Sequence, residues 1–355
     1  MTDARPTLGD YEHAAEVLTG VLSTTPLVET QALSDVLGAP VFLKLENLQR
    51  TGSFKIRGSS YLMSRLTAEE RARGVVAASA GNHAQGVALA ARELGIHATI
   101  FMPLGVPVPK LLATRGYGAE VILQGPTVEL PLQLAAEFAK ETGAVLVHPF
   151  DHIDVITGQG TLGLELFEER PDVDTVLVPI GGGGLIAGVA GAIKAKAAQA
   201  GRTVRVIGVQ AANSAAYPES LAAGHPSTVA TRPTIADGIA VARPGDVPFA
   251  MIRDLVDEVV TVSEDDIARA LLLLLERAKL VVEPAGAVGV AAILAGKVAP
   301  TGPTVVVLSG GNIDPLLMQR VISQGLSASG RYCTVRSPLP DRPGQLARVS
   351  ELIAE

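Results

Sequence analysis

The chain has 355 residues, 29 basic against 36 acidic side chains for a formal charge of −7, and 48% hydrophobic residues against 18% charged. That length exceeds one small core, and an acidic chain with 3% aromatic residues offers no basic, stacking surface to nucleic acid. One cysteine, Cys333, excludes an internal disulfide framework and suits a reducing cytoplasm; the start lacks a signal-peptide pattern, and the most apolar run, 286–294, is too short to span a bilayer.

In chain order, short apolar runs bounded by turn residues predict strands at 41–44, 75–78, 98–102, 120–123, 175–180, 204–209 and 304–308. Helical stretches separate them, which predicts an α/β protein with parallel sheets covered on both faces. The block from about 52 to 143 holds its own βα units and is expected to form a separate lobe. A helix is predicted over 263–280, with Ser263 as N-cap and Asp266 completing a capping box.

Two stretches carry chemistry. The strand at 175–180 runs into Gly181, Gly182, Gly183 and Gly184 and then a helical pattern. Strand, glycine loop and helix start aim several backbone N–H groups at an anion, and glycine lets the backbone approach it closely. A flexible turn is the plainer reading. A dinucleotide site would want an acidic residue about 20 positions on, and 194–210 contains none. No Gly-Lys-Ser/Thr follows either, so a lone phosphate fits best. In the segment 45–58, Lys55 follows Thr51-Gly52-Ser53, a helix N-cap pattern, with Phe54 and Ile56 beside it. Most lysines are solvated surface charges. One desolvated near a helix start has a lowered pKa and serves as a nucleophile or base. Both readings of Lys55 stay open on residue chemistry alone.

The segment 46–58 resembles the Schiff-base lysine motif of the fold-type II, pyridoxal-phosphate-dependent enzymes, the tryptophan synthase β family. Within it the chain is most similar to the threonine/serine dehydratase and serine racemase group. Ser79-Ala80-Gly81-Asn82-His83, the glycine tract and Ser309-Gly310-Gly311-Asn312 follow in the group's order. His148-Pro149, the run 158–161 and the run 234–238 also resemble it, and the likeness covers about residues 10–325. It implies a two-lobed fold: 1–52 with 144–328 as a large cofactor-binding domain, and 53–143 as a small domain.

It further implies pyridoxal 5′-phosphate as cofactor. Lys55 would hold its aldehyde and then remove the substrate Cα proton. Gly181, Gly182, Gly183 and Gly184 would cradle its phosphate, Asn82 would meet the ring hydroxyl, Phe54 would pack on the ring and Ser309 would face the pyridine nitrogen. A hydroxyl there makes the ring a milder electron sink than a carboxylate would, which suits β-elimination. Ser79, Asn82 and His83 would receive the substrate carboxylate, and Asp237 and Gly238 would lie near the leaving hydroxyl. For His83 a hydrogen-bonded helix-end histidine, and for Asp237 a plain turn, are equal alternatives. Glu283 sits behind the cofactor in the family, but a helix-capping carboxylate is as good a reading and it is left out of the catalytic set.

The chain departs from the racemases at Ala80, where they place a second proton-carrying serine. The run 210–216 has no carboxylate for the divalent cation of those relatives, so no metal is expected. Their substrate-closing arginine is absent from 127–131. From Arg331 the texture changes to a predicted strand, a Pro-Asp-Arg-Pro-Gly turn and an amphipathic helix, resembling the first third of a regulatory ACT domain. The resulting expectation is conversion of L-threonine to 2-oxobutanoate and ammonia, with L-serine going to pyruvate as a secondary activity. Serine racemisation or β-replacement is the alternative. A biosynthetic role, toward isoleucine, and a catabolic one share this chemistry. Resemblance adds a cytoplasmic homodimer or homotetramer with an amino-acid or nucleotide effector, taking a small amino acid and neither nucleic acid nor membrane.

Overall fold

The computed structural model describes residues 5–127, 129–299 and 301–355. Among them ten strands form two sheets: β1 (Leu27–Glu29), β2 (Val41–Lys44), β3 (Val75–Ala78), β4 (Ala98–Met102), β5 (Glu120–Leu123), β6 (Val145–Leu146), β7 (Thr175–Pro179), β8 (Arg205–Ala211), β9 (Glu258–Val262) and β10 (Thr304–Val307). The larger sheet has the order β1-β2-β10-β7-β8-β9 and the smaller β5-β4-β3-β6. Every pairing is parallel except β1 with β2.

The expected two-lobed α/β architecture is thus present. Strands β2, β3, β4, β7 and β10 are buried along their whole length, as parallel strands with helices on both faces must be. Two cores flank the large sheet, and another lies within the small lobe. Helices approach closely where glycine removes the side chain. A Cβ on Gly158 would lie 2.7 Å from the Arg57 carbonyl, so the Ile153–Glu169 helix seats directly on the Lys55–Ser64 helix.

All seven predicted strands form, with ends shifted by a residue or two. β1, β6 and β9 were not predicted: the first two are too short to show a period, and β9 is a half-buried edge strand. β6 pairs with β3 in the small sheet, so that sheet runs past the boundary expected at 143. The Ser263 capping box is present, but the α-helix spans only Glu264–Leu273. A wider turn, Leu274–Ala278, follows and closes at Lys279, whose φ of 59° leaves the helical region. In the tail the expected strand does not form, because no sheet edge meets it; the helix does form, at Gln345–Ala354, with no buried residue. No described helix is long and apolar enough to cross a membrane.

Candidate active site

The site lies between the lobes, at the C-terminal ends of the strands, where parallel sheets gather their loops. Lys55 opens the Lys55–Ser64 helix, although the cap differs from the expected one: Phe54 is the N-cap and no side chain bonds the helix start. The approach is tight, with Thr51 at φ 64° and Gly52 at φ 73° turning the chain. Lys55 Nζ donates to the Pro149 carbonyl at 2.8 Å and lies 5.1 Å from the Phe54 ring centre. Burial pulls its ammonium down to about 8, against the opposing charge of Glu283.

What seats this lysine is a buried ion network two residues on. Arg57, fully buried, donates from Nε and Nη2 to Glu46 at 2.8 and 2.9 Å, and from Nη1 and Nη2 to Glu165 at 2.6 and 2.9 Å. Lys44, at the end of β2, reaches Glu169 at 2.7 Å and Glu165 at 3.1 Å. The helix that begins with Lys55 is therefore pinned to β2 and to the Ile153–Glu169 helix.

The glycine tract is a cradle in which side chains have no room. A Cβ on Gly182 would collide with the Phe150 ring, one on Gly183 with the Tyr217 hydroxyl, and one on Gly184 would lie 2.9 Å from the Phe150 carbonyl. Gly183 also has φ of 104°, a conformation that favours glycine. The Gly184–Gln199 helix starts here with no side-chain cap, leaving its first N–H groups for an anion. Pro149 accepts from Lys55 and its neighbour Phe150 floors the cradle, so amine and anion cradle share one loop. Tyr217, fully buried, donates to the Gly182 carbonyl at 3.0 Å and fixes the tract from behind.

The loop after β10 joins the remaining parts. The Ser309 carbonyl accepts from Phe54 N–H at 3.1 Å, and Ser53 bridges Gly310. Asn312 donates to the Thr51 carbonyl at 2.6 Å and to Asn82 Oδ1 at 2.8 Å. Asn82 in turn donates to Glu283 Oε1 at 2.7 Å, so small-lobe and large-lobe loops meet at one amide. Burial first, and the Asp237 carboxylate second, push Glu283 up to about 7. Asp237 and Gly238 sit beside it, with a Gly238 Cβ lying 3.6 Å from Glu283 Oε1.

Ser79 accepts from Gly81 N–H at 3.1 Å, and the Asn82–Leu94 helix behind it has no side-chain cap. Of the two readings of His83, the structure matches the hydrogen-bonded helix-end histidine: it is 4% exposed and its Nε2–H donates to the Val147 carbonyl at 2.7 Å. Burial holds it down to about 3, and the neutral ring braces the loop from beneath. Lys55, Phe54, Asn82, Ser309, the glycine tract, Asp237 and Gly238 do come together. Sequence reasoning left out Glu283 despite its apolar setting, and passed over Asn312, Phe150 and Tyr217, of which only Asn312 lay in a quoted motif. Among the described residues, no cluster of three His, Cys, Asp or Glu side chains could hold a metal ion.

An amine with lowered proton affinity beside a glycine cradle at an uncapped helix start fits an aldehyde that carries a phosphate. Asn82 and Ser309 add neutral polar groups next to that amine. A family profile described as "Pyridoxal-phosphate dependent enzyme" matches residues 18–310. The chain is 50% identical over 350 residues to an L-threonine ammonia-lyase of Thermotoga maritima, covering 98% of this chain and 86% of that relative. Among solved structures, a serine racemase of maize superposes with TM-score 0.84 at 34% identity, covering 92% of this chain and all of that one. The processed threonine deaminase isoform 2 of Solanum lycopersicum gives TM-score 0.83 at 37% identity, covering 89% and 93%.

Proposed function

We infer, from a chain that belongs to the family of pyridoxal-phosphate-dependent enzymes, that it converts L-threonine to 2-oxobutanoate and ammonia, and L-serine to pyruvate more slowly. The observation that carries this reading is Lys55: a desolvated amine bonded to Pro149, the neighbour of the Phe150 that floors an anion cradle. Bound there, pyridoxal phosphate supplies an electron-withdrawing ring that acidifies the Cα–H of the attached amino acid. Lys55 Nζ, with its proton affinity already near neutral, takes the Cα proton. The tract amides and the start of the Gly184–Gln199 helix would hold the phosphate. Asn82 would orient the ring. Ser309 would offer the ring a neutral hydroxyl in place of a carboxylate, which suits loss of the β-hydroxyl. Asp237 and Gly238 flank that leaving hydroxyl. Ala80 has no proton to return to the opposite face of Cα, which disfavours racemisation.

The same proposal takes 1–52 with 144–328 as the large cofactor-binding domain and 53–143 as the small domain, with β6 completing the small sheet from across that boundary. It takes the protein as a cytoplasmic homodimer or homotetramer, in keeping with a single exposed cysteine and with exposed Val108 and Leu112 one helical turn apart. It takes residues 331–355 as the opening of an ACT-like module that binds an amino-acid or nucleotide effector, since the whole apolar face of the Gln345–Ala354 helix is open.

The test is 2-oxo acid release from L-threonine by the holoenzyme beside Lys55→Ala. Wild type turns over and carries a coenzyme absorbance band, and the variant loses both. An active Lys55→Ala, or a wild type that binds coenzyme but leaves threonine intact, overturns the reading.

A further inference from the structure

The loop 79–82 offers a substrate carboxylate one hydroxyl, one amide and backbone donors, but no full positive charge. Its surroundings make that lack acute. Across the cleft stand two carboxylates, Glu283 and Asp237, lining one wall of a cavity of about 160 Å³ between the lobes. Carboxylates on the large-lobe side favour a seat for an entering anion against the small lobe.

The small lobe places a cation there. Lys110 lies in the first turn of the Val108–Gly116 helix, its side chain only 16% exposed. Its ammonium reaches over the loop: a Cβ on Gly81 would be 4.0 Å from Lys110 Nζ. It pairs with Asp237 Oδ2 at 3.2 Å, bridging the two lobes at the mouth of the cavity. Asp237 is 60% exposed, and a solvated pair of this kind is weak and readily exchanged. A second carboxylate can replace the first on the same ammonium, leaving Asp237 to the solvent that already covers most of its side chain. The other cation on the cavity wall, Arg320, is exposed and also lines an outer groove with Glu264 and Gln324.

We propose that Lys110 binds the α-carboxylate of the amino-acid substrate, with Asp237 holding its ammonium across the cleft in the unliganded enzyme. The small lobe thus supplies both the neutral donors and the charge, and the exchange of partners ties substrate entry to release of the inter-lobe bridge. This rests on the function proposed above only in that the substrate is an α-amino acid.

The test titrates holoenzyme with glycine, which has amine and carboxylate but no leaving group, and with ethanolamine, which has an amine and a hydroxyl but no carboxylate, reading the coenzyme absorbance. Lys110→Ala is expected to weaken glycine on the order of tenfold or more, the scale of one charge-assisted contact. Ethanolamine should be unaffected. Lys110→Arg is expected to recover part of the loss, and Arg320→Ala to leave both ligands unchanged. Equal weakening of the two ligands by Lys110→Ala, or none, overturns the proposal, as does an Arg320→Ala loss confined to glycine. Because glycine cannot be dehydrated, this outcome is independent of whether threonine is turned over.

Discussion

Replacing Arg57 with Met keeps an unbranched apolar stem and removes the charge from the network beneath Lys55. Glu165 is 29% exposed and retains Lys44 at 3.1 Å, so solvent and a second cation absorb much of its loss. Glu46 has no such relief. It is fully buried, and after the substitution its remaining side-chain partner is the Thr25 hydroxyl at 2.6 Å. Removing one member of a buried pair leaves an uncompensated charge and costs about 3–5 kcal/mol. The deficit should carry a pH signature. In the wild type, burial raises Glu46, but Arg57 and the hydrogen bonds hold its carboxyl below the ordinary value. Its stabilising contribution is therefore complete above the unfolded carboxylate value of about 4.3 and lost as pH falls through the folded value. In Arg57→Met the burial is opposed only by the Thr25 hydroxyl and the more distant Lys44 charge, the carboxyl rises above its unfolded value, and the variant loses stability as pH rises past that point. The gap between wild type and variant therefore widens toward neutral pH and narrows toward acid. Urea unfolding followed by circular dichroism across this range reads it, and Glu46→Gln with Arg57→Met should restore at least about 1 kcal/mol at neutral pH. A loss below about 1 kcal/mol at neutral pH, or a gap that does not change with pH, refutes the reasoning.

Glu283→Gln should move Lys55 further below about 8 in cofactor-free protein, because the Glu283 charge is what holds that ammonium up. Labelling of Lys55 by an amine-selective reagent against pH, read by mass spectrometry, checks the direction, and an upward shift or none contradicts it. Gly183→Ala sets a side chain into a φ of 104° against the Tyr217 hydroxyl. A coenzyme titration should show affinity reduced by about 1–3 kcal/mol from strain in the cradle, and unchanged affinity would remove the tract from the phosphate site.

Much of this site was legible because backbone chemistry leaves marks in sequence. Four consecutive glycines after an apolar strand announce a cradle, since no other residue tolerates Phe150 and Tyr217 at that range. Lys55 was marked by its turn and its apolar neighbours. The groups that hold these parts are less legible. Tyr217 lies in an Ala-rich helix and acts through a fold contact 35 residues away. Glu283 and Lys110 meet Asn82 and Asp237 only when the lobes come together, at separations of 201 and 127 residues. His83 had two equal readings in the sequence, and only the fold, by bringing Val147 to its ring, distinguishes the helix-end one. The tail strand was predicted from pattern alone, and a strand needs an edge to pair with.

The place of β10 has a bearing on how the protein is made. It is the last of the described strands, yet it lies between β2 and β7, near the middle of the large sheet. Until residues 304–307 emerge from the ribosome, β2 and β7 have no common neighbour to join them. The loop that follows delivers Ser309 and Asn312, the latter bonded to both the Thr51 turn before Lys55 and Asn82. A nascent chain therefore carries its lysine and glycine tract without an assembled site until this strand has been made. Reactivity waits on that one strand, which closes sheet and cleft together.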